Sequence, residues 1–541
     1  MRLKFLAAVT AAFAASPSVA EPAAPPKLIV AIAVDQFSAD LYDEYRPHFT
    51  AGLKRLSSGV AFHNGYQSHN ATETCPGHST ILTGSHPSRT GIIANIWYDL
   101  GQQRSDKAVY CAEDERVPGT SSLAYTVSPL HLMVPTLGEW VKGVHPGSRN
   151  VAVAGKDRAA VMMTGHQADQ RWYWANNKFV TDLKGVALPQ TLTRANEAIA
   201  GALLENRQPL QSPPLCQAKA RSFPIEGGGK PVGSGAFARN AGDAAALRAS
   251  PELDGDTLAI AAGLVEEMQL GRGADPDVLA ISLSATDYVG HSYGTEGQEM
   301  CLQLLSLDRE LGDFFAFLDS RGIDYSVVLT ADHGGQDIPE RRREQGVPGA
   351  VRVDPKLLAK DVGALVGAKL GLKGPAIYGD GNFGDMYVDS SLPKPQRKLV
   401  LAQAVAAFRA HPQVEAVFTA EQLTATPVPT GSPVGWSLIQ RARASYYPGR
   451  SGDFVVLLKK DITPISDTSR YVATHGSPWD YDRRVPILFW RKAMAPLALD
   501  APVETTDILP TLAATIGLAI PAGSIDGHCI TAVAGDKCPS R

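Results

Sequence analysis

An α/β fold, with a central, mostly parallel sheet flanked by helices on both faces and interrupted by inserted cap segments, is predicted by three features of this sequence. KLIVAIAVD (27–35) is a continuous apolar run closed by an acid, the pattern of a strand buried on both faces. DVLAISLSATD (277–287) and YSVVLTADHGG (325–335) are two further such runs, separated by EMCLQLLSLDRELGDFFAFLDSRG, whose apolar residues recur at helical spacing and which Gly322 stops. Strand, helix and strand in that order make a βαβ unit with a right-handed crossover. Each run closes on polar residues: Asp35, then Asp287 with His291 four residues on, then Asp332 and His333. Open α/β sheets bind their ligands at the carboxyl ends of the strands.

Composition is that of a globular chain, 44% hydrophobic and 20% charged over 541 residues, which supports a sizeable core. The net charge is −4 and no basic block exceeds Arg341-Arg342-Arg343, so nucleic acid is not expected as the primary partner. At the N-terminus, Arg2 and Lys4 precede the apolar run LAAVTAAFAA, and Ser18-Val19-Ala20 offers the small residues of a signal-peptidase site. Residues 1–20 are therefore expected to be a cleaved signal peptide, leaving 21–541 as a catalytic domain in the periplasm or outside the cell. No later segment reaches the length of a membrane span. Six cysteines then face an oxidising compartment, and Cys529 with Cys538, which close a short loop, are the expected disulfide. The other four stay unassigned.

Taken in order, residues 50–59 read as a helix, and NATETCPGHSTILTG (70–84) follows. This stretch sets hydroxyls, a thiol and a Pro-Gly turn ahead of a run able to start a helix. Thr74 is the candidate nucleophile, placed at a helix N-terminus whose N–H groups favour an anionic oxygen; Cys75 is expected to be a small buried residue. RNVAVAGKDRAAVMM (149–163) reads as a strand, a loop holding Lys156 and Arg158, then a strand or helix. One-residue spacing lets both cations address a single anion. Residues 165–250, with Trp172, Tyr173, Trp174 and the Gly-rich GGGKPVGSG, are expected to be an insertion whose aromatics pack a small core, and a helix near 256–270 returns to the sheet. A second insertion is expected at 340–450, with a helix at 396–410. There, YGDGNFGDMYVD (378–389) breaks the calcium-loop spacing and reads as a turn. DFVVLLKK (453–460) and VPILFW (485–490) are strands, with His475 between them, and 504–518 is a closing helix.

Asp35, Asp287, His291, Asp332, His333 and His475 together make two sets of carboxylate and imidazole donors, suited to zinc and free of thiolates. With VDQFSADL, ATETCPGHSTILTG, GIIANIWYD, AGKDRAAVMM, SATDYVGHSYG, TADHGG and THGSPWDYDRRVPILF in this order, the sequence resembles the alkaline phosphatase superfamily, in particular its threonine-nucleophile bacterial alkaline phosphatases. The resemblance implies an alkaline-phosphatase-like sheet and two Zn2+ per chain. Asp287, His291 and His475 would bind one zinc, and Asp35, Asp332, His333 and Thr74 the other, while Asn95, Lys156 and Arg158 contact phosphoryl oxygens.

The expected activity is hydrolysis of small-molecule phosphate monoesters of broad range through a phospho-threonine intermediate. Sulfatases are disfavoured because Cys75 is followed directly by Pro76 with no matching arginine, and manganese mutases use serine in the cytosol. Nucleotide pyrophosphatase-type phosphodiesterases share the threonine and the six ligands but lack the Lys156–Arg158 pair, which makes them the serious alternative. A non-catalytic zinc- or phosphate-binding protein is the alternative of another class; no ligand or nucleophile is missing, which weighs against it. The sequence leaves the physiological monoester and the oligomeric state open, a monomer included.

Overall fold

The computed structural model describes residues 24–539; the expected signal peptide at 1–20 lies outside them. In chain order the principal strands are β1 Leu28–Val34, β2 Val60–Tyr66, β3 Asn150–Ala154, β4 Gln170–Ala175, β5 Lys178–Val180, β6 Asp277–Leu283, β7 Tyr325–Thr330, β8 Ile377–Gly379, β9 Gly384–Val388, β10 Val414–Thr419, β11 Phe454–Leu458, β12 Arg484–Arg491, β13 Leu497–Leu499 and β14 Val503–Glu504. Ten of them form the central sheet in the order β13-β2-β12-β7-β1-β6-β3-β4-β5, with β14 also beside β2. β7, β1, β6, β3 and β4 run parallel, while β12 and β5 are antiparallel to their neighbours.

Double-sided burial explains why β1 carries no polar alternation. Leu28, Val30, Ile32 and Val34 face one core, shared with the helices Glu252–Glu267 and Gln298–Ser320. Ile29, Ala31 and Ala33 face the other, shared with Asp157–Thr164 and Ile508–Thr515. Each large aliphatic side chain so enclosed contributes about 1.5–3 kcal/mol. The long helix Gln298–Ser320 stops where Gly322 takes φ +64°, as its sequence position predicts.

The segment 165–250 differs from its sequence reading, whereas the helix expected at 396–410 is present as Lys394–Arg409. Trp172, Tyr173 and Trp174 do not belong to an insertion: they lie in β4 of the central sheet, with Trp172 and Trp174 in one main core and Tyr173 in the other. Aromatic residues favour a pleated, half-buried surface, and here that preference prevailed over the Gly-rich sequence that follows. The rest of that segment covers one face of the sheet, adding Leu192, Ile199, Phe237 and Leu247 to the main core. The region 340–450 supplies three strands of a separate antiparallel sheet, β8-β9-β11-β10, and the helices Ala359–Leu370 and Lys394–Arg409 pack with it around Phe408 and Phe454. YGDGNFGDMYVD forms the β8–β9 hairpin of this sheet. Disulfides join Cys529 to Cys538, Cys216 to Cys301 and Cys75 to Cys111, so Cys75 is buried but also bonded. Among the described residues no helix is long and apolar enough to cross a membrane.

Candidate active site

Four adjacent parallel strands, β7, β1, β6 and β3, lead at their carboxyl ends into seven of the ten candidate residues; Thr74, Asn95 and His475 come from other segments. Asp35 follows β1 directly, and Asp332 and His333 follow β7. Asp287 and Arg158 sit differently from their sequence reading. Asp287 is in the first turn of the helix Ala285–Tyr293, so His291, four residues later, falls on the same helical face. Lys156 precedes the helix Asp157–Thr164, and Arg158 lies within its first turn rather than in a loop.

Thr74 opens the helix Thr74–Ile81, eight residues that are all buried. The helix thus starts earlier than the STILTG run suggests. Gly77 permits its position: a Cβ there would lie 2.0 Å from the carbonyl oxygen of Asp332, so only glycine lets the helix press against that loop. Asn95 is tied to the same helix end, its Oδ1 accepting from Cys75 N at 2.8 Å and its own N–H donating to Glu73 Oε2 at 2.7 Å.

Two groups of three converge as metal ligands do, Asp287 with His291 and His475, and Asp35 with Asp332 and His333; within each, the donor atoms lie within 4.8 Å of one another. The groups adjoin, for the His333 and His475 rings stack with centroids 3.6 Å apart. Each histidine hydrogen-bonds through Nδ1 to a backbone carbonyl at 2.8 Å: His291 to Ala473, His333 to Gly334 and His475 to Thr72. That contact assigns the proton to Nδ1 and leaves Nε2 as the free lone pair. Asp35 Oδ1 and His333 Nε2 are buried without a hydrogen-bond partner, a costly arrangement unless a cation is their partner. The donor set therefore fits two divalent metals.

Electrostatics agree with ligand protonation states. Burial pushes His333 down to about 3 and also lowers His475, so both imidazoles are neutral. Against the upward push of burial, the ammonium of Lys156 helps hold Asp287 well below the carboxylate range, and the contact with His78 helps hold Asp332 below it. Burial, with Asp287 and Asp332 nearby, raises Asp35 instead. Like charges so confined call for a counter-cation. Lys156 supplies part of it, with Nζ 2.5 Å from Asp35 Oδ2 and 2.6 Å from Asp287 Oδ2; despite burial, these two acids keep it protonated.

Both cations also reach the threonine: Arg158 Nη2 is 3.3 Å and Lys156 Nζ 3.5 Å from Thr74 Oγ1. The structure thus brings together all ten residues singled out from the sequence. It adds three that the sequence reading missed. Gln36, at φ 63°, bridges the two donor groups, its N–H to Asp332 Oδ1 and its Nε2 to Asp287 Oδ1, each at 3.2 Å. His78 bonds Thr74 O at 2.9 Å and lies 3.0 Å from Asp332 Oδ2. Glu73 orders Asn95. Gln36 and His78 lie in quoted motifs, but no spacing rule marks residues that contact ligands rather than substrate.

Comparison with known proteins places this geometry. The family model described as type I phosphodiesterase / nucleotide pyrophosphatase matches residues 29–477. The chain is 55% identical to the alkaline phosphatase PhoK of Sphingomonas sp over 525 residues, 96% of this chain and 94% of that one. It is 47% identical to the alkaline phosphatase PhoD of Zymomonas mobilis, covering 93% of this chain and 88% of that one. The crystal structure of the alkaline phosphatase PafA superposes with a TM-score of 0.81 at 26% identity, over 95% of this chain and 100% of that one.

Proposed function

We propose, from the fact that this chain belongs to the type I phosphodiesterase / nucleotide pyrophosphatase family of the alkaline phosphatase superfamily, that it is a zinc-dependent alkaline phosphatase. It hydrolyses phosphate monoesters of broad range through a phospho-threonine at Thr74. The observation that carries this reading is the approach of two cations, Lys156 and Arg158, to one hydroxyl. A monoester dianion brings charge that both can offset; a diester brings one charge and a second substituent that the pair would crowd. The similarity to chains named alkaline phosphatase supports the same choice.

Asp287, His291 and His475 would hold one zinc, and Asp35, Asp332, His333 and Thr74 the other; such a pair supplies Lewis-acid stabilisation of the attacking and leaving oxygens. The chain does the rest by positioning and charge. Thr74 Oγ1, its proton released to solvent, attacks phosphorus in line, the Oγ1–P bond forming as the bond from phosphorus to the alcohol oxygen breaks and the alcohol leaves with a proton from solvent. Arg158, braced by Tyr110 at 3.4 Å, and Lys156 offset the charge on the phosphoryl oxygens, and the Asn95 carboxamide donates to one of them. Water then attacks phosphorus from the side the alcohol left, the Oγ1–P bond breaks, and inorganic phosphate departs. Three disulfides support an oxidising location, periplasmic or secreted.

The test compares p-nitrophenyl phosphate with bis-p-nitrophenyl phosphate on the zinc-loaded protein. The expected kcat/KM favours the monoester by about 10³-fold, the scale of the few kcal/mol that two charge-assisted contacts supply. A diester preference would instead establish the second reading, a nucleotide pyrophosphatase-type phosphodiesterase, which the description of the family favours.

A further inference from the structure

Beside the metal-donor groups, on the His475 side, a small cleft opens between the segments 70–73 and 94–98 and the tip of the β8–β9 hairpin, with a volume of about 30 Å³. Asn70, Glu73, Tyr98, Asp380, Phe383 and Asp385 line it, and no lysine or arginine does. It adjoins the site directly. A Cβ on Gly476, the residue after His475, would lie 3.1 Å from Phe383 Cζ and 3.7 Å from Glu73 Cγ, so ring and acid lie beside the histidine's neighbour. Asn70 is only 5% exposed, yet its side-chain oxygen Oδ1 has no hydrogen-bond partner. An unsatisfied acceptor buried in a cleft marks the place of an absent donor.

The chemistry of the lining defines that donor. Three carboxylates, an amide oxygen and aromatic rings, with no lysine or arginine in the lining, form an electronegative cleft. Asp380, exposed at the rim, makes no ion pair; Asp385, half-buried and with Oδ1 accepting from Gly452 N at 2.6 Å, is pushed up to about 6 by burial and is ionised at alkaline pH. The three acids do not converge to metal-ligand spacing: among the described residues only the two groups of the candidate site do so. Their separation suits an ammonium, whose N–H donors, each at about 2.8 Å, bridge acceptors set wider apart than metal ligands are. Room for about one or two water-sized groups admits an ammonium and excludes a nucleobase, a sugar ring or a trimethylammonium head.

We propose that this cleft is a leaving-group subsite that favours phosphomonoesters of amino alcohols, the ammonium group sitting among Asn70, Glu73, Asp380 and Asp385 against the rings of Tyr98 and Phe383. The proposal rests on the phosphomonoesterase reading and names a preferred substrate class within it. Recognition acts on the alcohol half of the ester, so the phosphoryl chemistry is untouched.

The experiment measures kcat/KM of the zinc-loaded enzyme for 2-aminoethyl phosphate and for 2-methoxyethyl phosphate at about pH 8.5, where an alkyl ammonium stays charged. The same ratio is then taken in Asp380→Asn/Asp385→Asn, which conserves shape and removes the charges. Intrinsic differences between the two alcohols cancel between proteins. The expected ratio falls about tenfold in the variant, the scale of two partly exposed charge contacts, while p-nitrophenyl phosphate turnover stays within about threefold. An unchanged ratio overturns the subsite. If the double variant does not fold, Asp380→Asn alone, at a rim position without an ion pair, must lower the ratio by about threefold, and a constant ratio overturns it equally. Absence of p-nitrophenyl phosphate turnover in the unaltered protein would refute the phosphatase reading itself, a separate outcome.

Discussion

The central sheet and the small antiparallel sheet are both made of apolar strands, but they place charge differently. Past the carboxyl ends of central-sheet strands enclosed on both faces, Asp35, Asp287, Asp332 and Lys156 are at most 3% exposed. The small sheet packs Phe408, Phe454 and Val456 in an apolar cluster and presents Asp380 and Asp385 on a hairpin. Burying charge without compensation costs several kcal/mol per ion. Only a scaffold whose backbone is fixed by neighbours on both sides can hold such groups in place for catalysis. Hairpin tips tolerate change, so the small sheet is where substrate selection can vary without disturbing the phosphoryl site.

Breaking the central sheet's chemistry gives the largest expected effect. Thr74→Ala should cut monoester turnover by at least about 10⁴-fold, about 5.5 kcal/mol, and abolish acid-stable phosphate labelling, with two zinc ions per chain still found by elemental analysis. Zinc loss in that variant would make Thr74 a structural residue.

Next comes Lys156→Ala/Arg158→Ala. Monoester kcat/KM should drop about 10³-fold, about 4 kcal/mol, against a loss of under about tenfold for a diester. Equal losses would contradict the role of the cation pair and blur the distinction from diesterases.

The small sheet is probed by Phe408→Ala, which empties a fully buried site and should cost about 3–4 kcal/mol in chemical denaturation. Zinc content should be unaffected, because no ligand lies on that sheet. Loss of zinc together with the helix Lys394–Arg409 would show that the two regions unfold as one.

The smallest effect concerns a clasp at the edge of the central sheet. Opposing the downward push of burial, Asp526 and Glu504 raise His86 to about 10. The folded value exceeds the ordinary imidazole value of about 6.5, so this stabilisation is fully present below that pH and is lost as pH rises through about 10. His86→Gln should therefore lower stability by about 2 kcal/mol near pH 6, and the gap to the unaltered protein should close toward pH 10. Thermal unfolding across that range checks it; a gap that widens with pH would refute the clasp.

Much of this architecture was legible in order of chain. The strands β1, β6 and β7 announce themselves because burial on both faces leaves an uninterrupted apolar run, and the residues that end them are the first free of that constraint. Thr74, Lys156 and Arg158 stood out because their residue types at their spacing suit an anion. Periodicity, however, carries information over about ten residues. Only the tertiary structure decided that Trp172 to Trp174 join the central sheet, that Gln36 ties Asp287 to Asp332, and that Cys75 pairs with Cys111. Only it seated Phe383 and Glu73 beside Gly476. Those pairings join segments far apart in the chain, and what brings them together is sheet order and close packing, which no local pattern encodes.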